Sequence, residues 1–196
     1  RPRMVFVNSM SDLFHPAIPV EFIADVFAVM TIAEAHVFQV LTKRPERARA
    51  LLCSPAFWLD VEAARARRGA ARLAGDPGEW AAGVRAAANV WLGVTVENRR
   101  WVGRVDLLRA TPAAVRFVSA EPLLGPLLPG LSLAGVDWLV VGGESGSRHR
   151  PMRAAWARQL RDACLAFGPC ARCGAPGSPS ATEANVCGVC GGQVRP

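Results

Sequence analysis

Two pairs of cysteines near the C-terminus have the spacing of a metal site. Cys170 and Cys173 form one C-x-x-C pair and Cys187 and Cys190 form a second, with thirteen residues between the pairs. Two residues between thiols let both sulfurs reach one ion, and four thiolates suit a closed tetrahedral zinc site. We therefore predict a structural zinc ribbon that stabilises a tail too short to form a hydrophobic core of its own. The alternatives are a redox pair and a frameshifted C-terminal end.

A second group of reactive residues follows the apolar runs of the chain. Five such runs, at residues 4–7, 37–41, 90–94, 115–118 and 136–141, each end in polar residues. This pattern is typical of buried parallel strands whose carboxyl ends carry the chemistry. We expect the polar residues to surround one opening and to bind a small anionic or nucleotide-like ligand. The candidate ligand-binding residues are Asn8, Ser11, Asp12, Thr42, Lys43, Glu97, Asn98, Glu121, Gly142, Gly143, Glu144 and Ser145.

Glu144 stands between Gly143 and Ser145, in the most polar of these strand ends. Its carboxylate could accept hydrogen bonds from a ligand amine or ribose hydroxyl, while the neighbouring glycines let backbone amides approach an anion. The alternative is a turn in which Glu144 forms an ion pair with Arg148 or Arg150.

The other strand-end acids need partners as well, because burying several unpaired carboxylates is costly. We expect them to pair with Lys43, Arg44 or Arg150, or to bind a ligand. His15, in the loop after the first run, is either an acid–base group or a cap of the following turn.

The composition favours an anionic partner. The chain of 196 residues carries a net charge of +7, has a pI near 9.9 and is 51% hydrophobic. A basic chain of this kind suits phosphate, nucleotide or nucleic acid, although skewed codon usage gives the same charge. No apolar run is long enough to cross a bilayer, no secretion signal is recognisable, and the cysteine usage suits a reducing compartment. We expect a cytoplasmic protein without membrane contact; a partner protein is not identified.

The segments between the apolar runs have helical features. Residues 20–30, 46–52, 57–74, 79–88 and 153–167 are predicted helices, and a further helix contains Trp101, Val105 and Leu108 at i, i+4 and i+7. Four arginines of the 57–74 helix, at positions 65, 67, 68 and 72, are interpreted as a solvated face. Residues 123–130, rich in Pro and Gly, are predicted to form an apolar loop packed on the body.

Strands that alternate with helices predict parallel βαβ units. A Rossmann sheet would carry a G-x-G-x-x-G turn after its first strand, and the sequence has none. We therefore predict an α/β fold with a partial, TIM-barrel-like (βα) repeat over residues 1–167, followed by a zinc-ribbon-like tail at 168–196.

The strand ends carry a specific resemblance, which covers about residues 3–167. The blocks at residues 8–15, 41–45, 93–98, 119–125 and 142–146, with Arg150-Pro151-Met152, resemble a phage-associated family of uncharacterised proteins that is similar to radical S-adenosylmethionine enzymes. Five blocks in the right order make the likeness specific. The resemblance implies a barrel-type scaffold with its ligand at the strand ends.

It also implies two cofactors. Members of this family begin with a three-cysteine motif that holds a [4Fe-4S] cluster beside S-adenosylmethionine, whereas this sequence has no C-x3-C-x2-C and Cys53 stands alone. We expect S-adenosylmethionine and [4Fe-4S] only if such a motif lies upstream, in which case the chain is an N-terminal truncation. The family's C-terminal region is replaced by the cysteine-rich tail.

Two hypotheses follow, and neither assigns a reaction. The first is an enzyme-type scaffold that binds a small ligand at the barrel mouth. The second is a nucleic-acid-binding or adaptor module in which the zinc ribbon and the basic helices make the contacts on a degenerate barrel.

Overall fold

A computed structural model describes residues 1–166, which contain five strands and six α-helices. The strands are β1 (Met4–Val7), β2 (Val37–Thr42), β3 (Val90–Thr95), β4 (Val115–Ala120) and β5 (Trp138–Val141). The helices are α1 (Val20–Ile32), α2 (Pro45–Leu52), α3 (Pro55–Ala66), α4 (Pro77–Ala81), α5 (Arg104–Arg109) and α6 (Ala154–Leu165), and Arg99–Trp101 forms a short 3₁₀ helix. The predicted tail lies outside the described residues, and its boundary at 168 stays a prediction. None of the described helices is long and apolar enough to span a membrane.

The five strands form one sheet in the order β1-β2-β3-β4-β5. Consecutive strands are therefore neighbours, as in part of a (βα) barrel, and the order never reverses as it does in a doubly wound sheet. The α/β class and the parallel strands were predicted correctly. The described residues divide into two compact units, one of Arg1–Val94 with Ala110–Val115 and the other of Thr95–Arg109 with residues 116–166.

In the first unit, β1, β2 and β3 are parallel, with Val7 opposite Val40 and Thr42 opposite Val94. Helix α1 packs against α3 through an aromatic cluster. Phe27 meets Phe57 edge-on at a centroid distance of 5.5 Å and Trp58 at 6.0 Å, and Trp58 lies 4.9 Å from Trp80. Such edge-on aromatic contacts add to the hydrophobic stabilisation from burial.

Strand β1 is the exception to this burial. Its residues Met4, Val5 and Phe6 are all exposed, and β2 is its only neighbour among the described strands.

In the second unit, β4 pairs in parallel with β5 in a register that sets Ala120 opposite Val141. The segment between these strands has no regular structure, as its prolines and glycines predict. It nevertheless buries Leu123, Leu127 and Leu131, so the prediction of an apolar loop packed on the body is confirmed. Leu160 of α6 is also fully buried.

Two predicted helices are shorter than expected. The helix predicted at 57–74 is α3, which ends at Ala66 because Gly69 adopts a positive φ of 68° that a helix cannot continue through. The helix predicted at 79–88 is α4, which begins at Pro77 and ends at Ala81. Asp76 accepts hydrogen bonds from the Gly78 and Glu79 amides in a capping box, so the helix starts two residues before its predicted start.

The arginine face predicted on the 57–74 helix is only partly solvated. Arg67 and Arg68 both bind the half-buried Asp25 carboxylate at 2.9 Å. Arg65 is instead buried, with an exposed fraction of 6%, so its assignment to a solvated face was wrong.

Candidate functional site

In the first unit, Asp12 joins the loop after β1 to the end of β2. Its carboxylate accepts four hydrogen bonds, which use its lone pairs and leave it little capacity for a ligand. The donors are the amide of Phe14 at 2.9 Å, the hydroxyl of Thr42 at 2.8 Å, the amide of Lys43 at 2.9 Å and Nη1 of Arg44 at 2.8 Å. Burial favours a higher pKa for Asp12, but these hydrogen bonds outweigh it and lower the pKa below its usual value. Asp12 is therefore a charged structural link between two strand ends.

The neighbouring predicted residues support this link. The Thr42 hydroxyl donates to Asp12 and accepts from the Arg44 amide at 2.9 Å, so both of its functions are used. Asn8 adopts a left-handed φ of 60°, which turns the chain directly after β1, and Ser11 is exposed in the same loop. His15 Nδ1 accepts from the Ala17 amide at 3.2 Å, as expected for a histidine that caps its own turn.

The second unit holds three of the predicted carboxylates, and the first of them is Glu97. Glu97 Oε2 lies 3.2 Å from Nη1 of Arg104, and the two side chains are 13% and 11% exposed. The same nitrogen donates to the Thr95 carbonyl at 2.8 Å. The Arg104 guanidinium also lies 4.0 Å from the Trp101 ring centroid, a cation–π contact that fixes its plane. Arg104 was not among the predicted partners of Glu97. The 3₁₀ helix at Arg99–Trp101, which lies between the two residues in sequence, has no clear sequence signal.

Two further polar residues lie beside this ion pair. The Thr95 hydroxyl is buried and is the only fully buried side-chain polar atom among the described residues that makes no hydrogen bond. Asn98 accepts from the Arg100 amide at 3.0 Å and so caps the 3₁₀ helix. Asn98 therefore has a local structural role, whereas Thr95 offers an unused donor and acceptor.

Glu121 follows β4 and reaches across to the end of β5. Its only hydrogen bond within residues 1–166 comes from the Ser119 hydroxyl, at 3.4 Å, and no described cation pairs with it. Glu121 is exposed, and its carboxylate lies so close to the Gly142 Cα that a Cβ at position 142 would overlap Oε1. The strand end thus presents a carboxylate with unused acceptor capacity.

Glu144 makes the ion pair that the sequence offered as an alternative to ligand binding. Its carboxylate accepts from Arg150 at three nitrogens: the amide at 2.7 Å, Nε at 2.9 Å and Nη2 at 2.6 Å. These hydrogen bonds lower the pKa of Glu144 to about 2. The same contact raises the pKa of Arg150, and the charge of Glu97 adds to that effect. Gly143 and Ser145 are exposed on either side of Glu144.

Backbone hydrogen bonds tie these strand ends together. The Leu123 amide donates to the Gly142 carbonyl and the Leu124 amide donates to the Glu97 carbonyl, both at 2.8 Å. The loop after β4 therefore links the residue after β5 to Glu97. These hydrogen bonds link the chain segments that carry Glu97, Glu121 and Gly142, and Glu144 follows Gly142 by two residues.

The described cysteines do not form a metal centre. Within residues 1–166, no three His, Cys, Asp or Glu side chains are grouped so as to hold a metal ion. Cys53 and Cys164 are both free and half-buried, and burial raises the pKa of the Cys164 thiol. Cys170, Cys173, Cys187 and Cys190 lie outside the described residues, so the zinc ribbon stays a prediction.

Comparison with known proteins gives one match. The sequence model of a family described as a protein of unknown function, DUF5131, matches residues 1–169. No curated protein and no solved structure matches the chain. The description of the family names no reaction and no ligand, so the phage association and the radical S-adenosylmethionine likeness stay predictions.

Proposed function

Since the chain belongs to the DUF5131 family of proteins of unknown function, we propose a function from the site itself, the binding of a small anionic or nucleotide-type ligand at the carboxyl ends of β4 and β5. The observation that carries the proposal is the exposed Glu121 carboxylate, which has no ion pair among the described residues. A carboxylate in this position accepts hydrogen bonds from ligand hydroxyl or ammonium groups.

The anionic part of the ligand has a donor on the neighbouring strand end. Arg150 uses Nε and Nη2 for Glu144, and its Nη1 makes no hydrogen bond within the described chain. Because Glu144 binds the guanidinium through two contacts and the Arg150 amide through a third, Nη1 is oriented before a ligand arrives. Such preorganisation lowers the entropic cost of binding a carboxylate or phosphate.

Gly142 and Thr95 support the same assignment. Gly142 lets the Glu121 carboxylate lie directly over the backbone at the end of β5. The unpaired Thr95 hydroxyl is a buried polar group that a ligand, or a water bound with it, would satisfy. We assign ligand contact to Glu121 and Arg150, and a supporting role to Thr95.

S-adenosylmethionine belongs to this ligand class, since it carries an ammonium, a carboxylate and two ribose hydroxyls. The Glu121 carboxylate can accept hydrogen bonds from its ammonium or ribose hydroxyls, and the Arg150 guanidinium can donate to its carboxylate. The [4Fe-4S] cluster is a different matter, because it needs three thiolates and the described residues offer two, Cys53 in the first unit and Cys164 in the second. The described residues do not fit the cluster, and no reaction step is assigned through it.

Titration calorimetry on the full chain tests the proposal, with S-adenosylmethionine as the probe. Glu121→Gln removes the acceptor charge but keeps the size of the side chain, and we expect it to weaken probe binding by about tenfold. Glu21→Gln changes an exposed carboxylate in the first turn of α1 and is the matched control. The proposal would be refuted if S-adenosylmethionine does not bind, or if Glu121→Gln and Glu21→Gln weaken its binding equally.

A further inference from the structure

The first unit contains a cleft of about 780 Å³ that none of the strand-end residues line. Its walls come from the end of α1, the end of α3, helix α4 and the segment before β3. Asn89, at the start of β3, lines it and donates through Nδ2 to the Met30 carbonyl at 2.9 Å. The cleft therefore lies at the amino ends of the strands of this unit, whereas Asp12 lies at their carboxyl ends. Its volume is that of pockets which enclose ligands of nucleotide size.

A buried cation without a countercharge lines this cleft. The Arg65 guanidinium donates to the Thr31 hydroxyl at 2.8 Å and to the Ala71 carbonyl through Nε at 3.2 Å and Nη2 at 2.8 Å. All of these acceptors are neutral, and no carboxylate pairs with Arg65 in the part of the chain that the structure describes. Burial of an unneutralised charge is costly, and an anion in the cleft would offset that cost.

Arg65 also has donors left for such an anion. A guanidinium carries five N–H groups, and three hydrogen bonds leave one N–H on each of two nitrogens. Two N–H groups of one guanidinium match two oxygens of a phosphate better than they match any neutral acceptor.

Two more arginines that line the cleft, Arg72 and Arg85, also have N–H groups available for an anion. Arg72 pairs with Glu62 through Nε at 3.3 Å, and Arg85 pairs with Glu79 through Nε at 2.8 Å. Their Nη groups make no hydrogen bond within residues 1–166. Three guanidinium groups and the carboxylate of Glu34 line the cleft, and of the three only Arg65 has no carboxylate partner among the described residues.

We propose that this cleft is a second binding site, which takes a small organic phosphate with its phosphate group on Arg65, Arg72 and Arg85. The indole of Trp80 forms part of the wall and gives the organic part of the ligand an apolar surface. The site is independent of the proposed ligand at the ends of β4 and β5, because the two share no residue.

The test uses the Trp80 indole as a local probe. In a ¹H–¹⁵N correlation spectrum of the full chain, Trp80→Phe assigns its signal among the six tryptophans. Inorganic phosphate and adenosine 5′-monophosphate are expected to shift that signal in a saturable way at constant ionic strength, and adenosine is not. Glu121→Gln is expected to leave the shift unchanged, which separates this site from the strand-end site.

A negative charge introduced at Val84 tests whether the cleft binds an anion, without disturbing the core. Val84 lines the cleft and is 73% exposed, so both Val84→Glu and Val84→Gln should fold. The added negative charge is expected to weaken adenosine 5′-monophosphate binding by about tenfold or more, whereas the neutral variant keeps it. Val29→Glu, at an exposed position of α1 outside the cleft, controls for net charge.

Arg65→Lys is the direct variant, and a thermal melt shows whether it folds. A folded variant is expected to lose binding, since lysine keeps the positive charge but cannot donate the two parallel hydrogen bonds of a guanidinium. The proposal is overturned if millimolar phosphate and nucleotide leave the Trp80 signal in place, if adenosine shifts it as strongly, or if Val84→Glu binds as tightly as Val84→Gln. The Val84 pair decides the question even if Arg65→Lys unfolds.

Discussion

The carboxylate of Glu121 occupies the space over Gly142 that any side chain at position 142 would need. The two residues follow Ala120 and Val141, which are opposite each other in the β4–β5 ladder. The position of the Glu121 carboxylate therefore depends on the absence of a Cβ one strand away.

Gly142→Ala is expected to displace Glu121 and to weaken binding at the strand ends, with little effect on stability. The new methyl group meets the far end of a flexible side chain, so we expect the free energy of unfolding to fall by less than about 1 kcal/mol. Calorimetry with S-adenosylmethionine and chemical denaturation measure the two effects. Gly103→Ala is the matched control, because a Cβ there meets no atom within 4 Å and Gly103 is not a candidate ligand-binding residue.

Asp12→Asn is expected to lower the free energy of unfolding by about 2 kcal/mol at neutral pH, since the amide cannot accept from all four donors. The pH dependence has a defined sign, because the pKa of Asp12 is lower in the folded state than its usual value. Its contribution is fully present above the unfolded pKa of about 4 and is lost as pH falls through the folded pKa. Denaturation from pH 7 to pH 2 should show the wild-type advantage shrinking below pH 4. A difference between the two proteins that stays constant over this range would contradict the assignment.

Two threonine substitutions should have opposite effects on stability. Thr95→Val removes a buried hydroxyl that makes no hydrogen bond within residues 1–166, so we expect the free energy of unfolding to rise by about 1 kcal/mol. Thr42→Val removes a hydroxyl that makes two hydrogen bonds to Asp12 and Arg44, and we expect a fall of about 1 to 2 kcal/mol. Urea denaturation monitored by circular dichroism compares them, and destabilisation by Thr95→Val would show that its hydroxyl has a partner.

We also propose that the full chain binds one structural zinc ion through Cys170, Cys173, Cys187 and Cys190. Elemental analysis after exhaustive dialysis should find about one zinc per chain, and Cys170→Ser or Cys187→Ser should remove it. Cys53→Ser changes a cysteine outside the motif and should leave the zinc content unchanged. Zinc that survives substitution in both pairs would contradict a four-thiolate site. If zinc and salt-dependent nucleic-acid binding are lost together, the adaptor hypothesis is favoured over the small-ligand site.

Strand β3 was predictable because burial on both faces leaves a continuous apolar run at 90–94. The Glu144–Arg150 pair was predictable for a different reason, since the two residues are close in sequence and lie in one short loop. The Glu97–Arg104 pair was not, because it depends on a 3₁₀ helix with no strong sequence signal.

Arg65 shows the same limit more clearly. Its position in a basic helix predicts a solvated side chain, but Thr31, which is distant in sequence, provides a buried acceptor. Such contacts arise only when two helices pack, and a local pattern cannot reveal them. The sequence therefore predicted that acids follow the strands, whereas their partners required the fold, and their role in ligand binding stays a prediction.

Among the described strands, β1 pairs with β2 alone, and it exposes Met4, Val5 and Phe6. The amide and carbonyl groups along its other side can form a ladder with an extended segment of another polypeptide, and the apolar side chains would strengthen that ladder. Self-association through β1 should therefore increase with protein concentration. A lysine in place of Val5 should keep the protein monodisperse at concentrations where the unaltered chain forms oligomers.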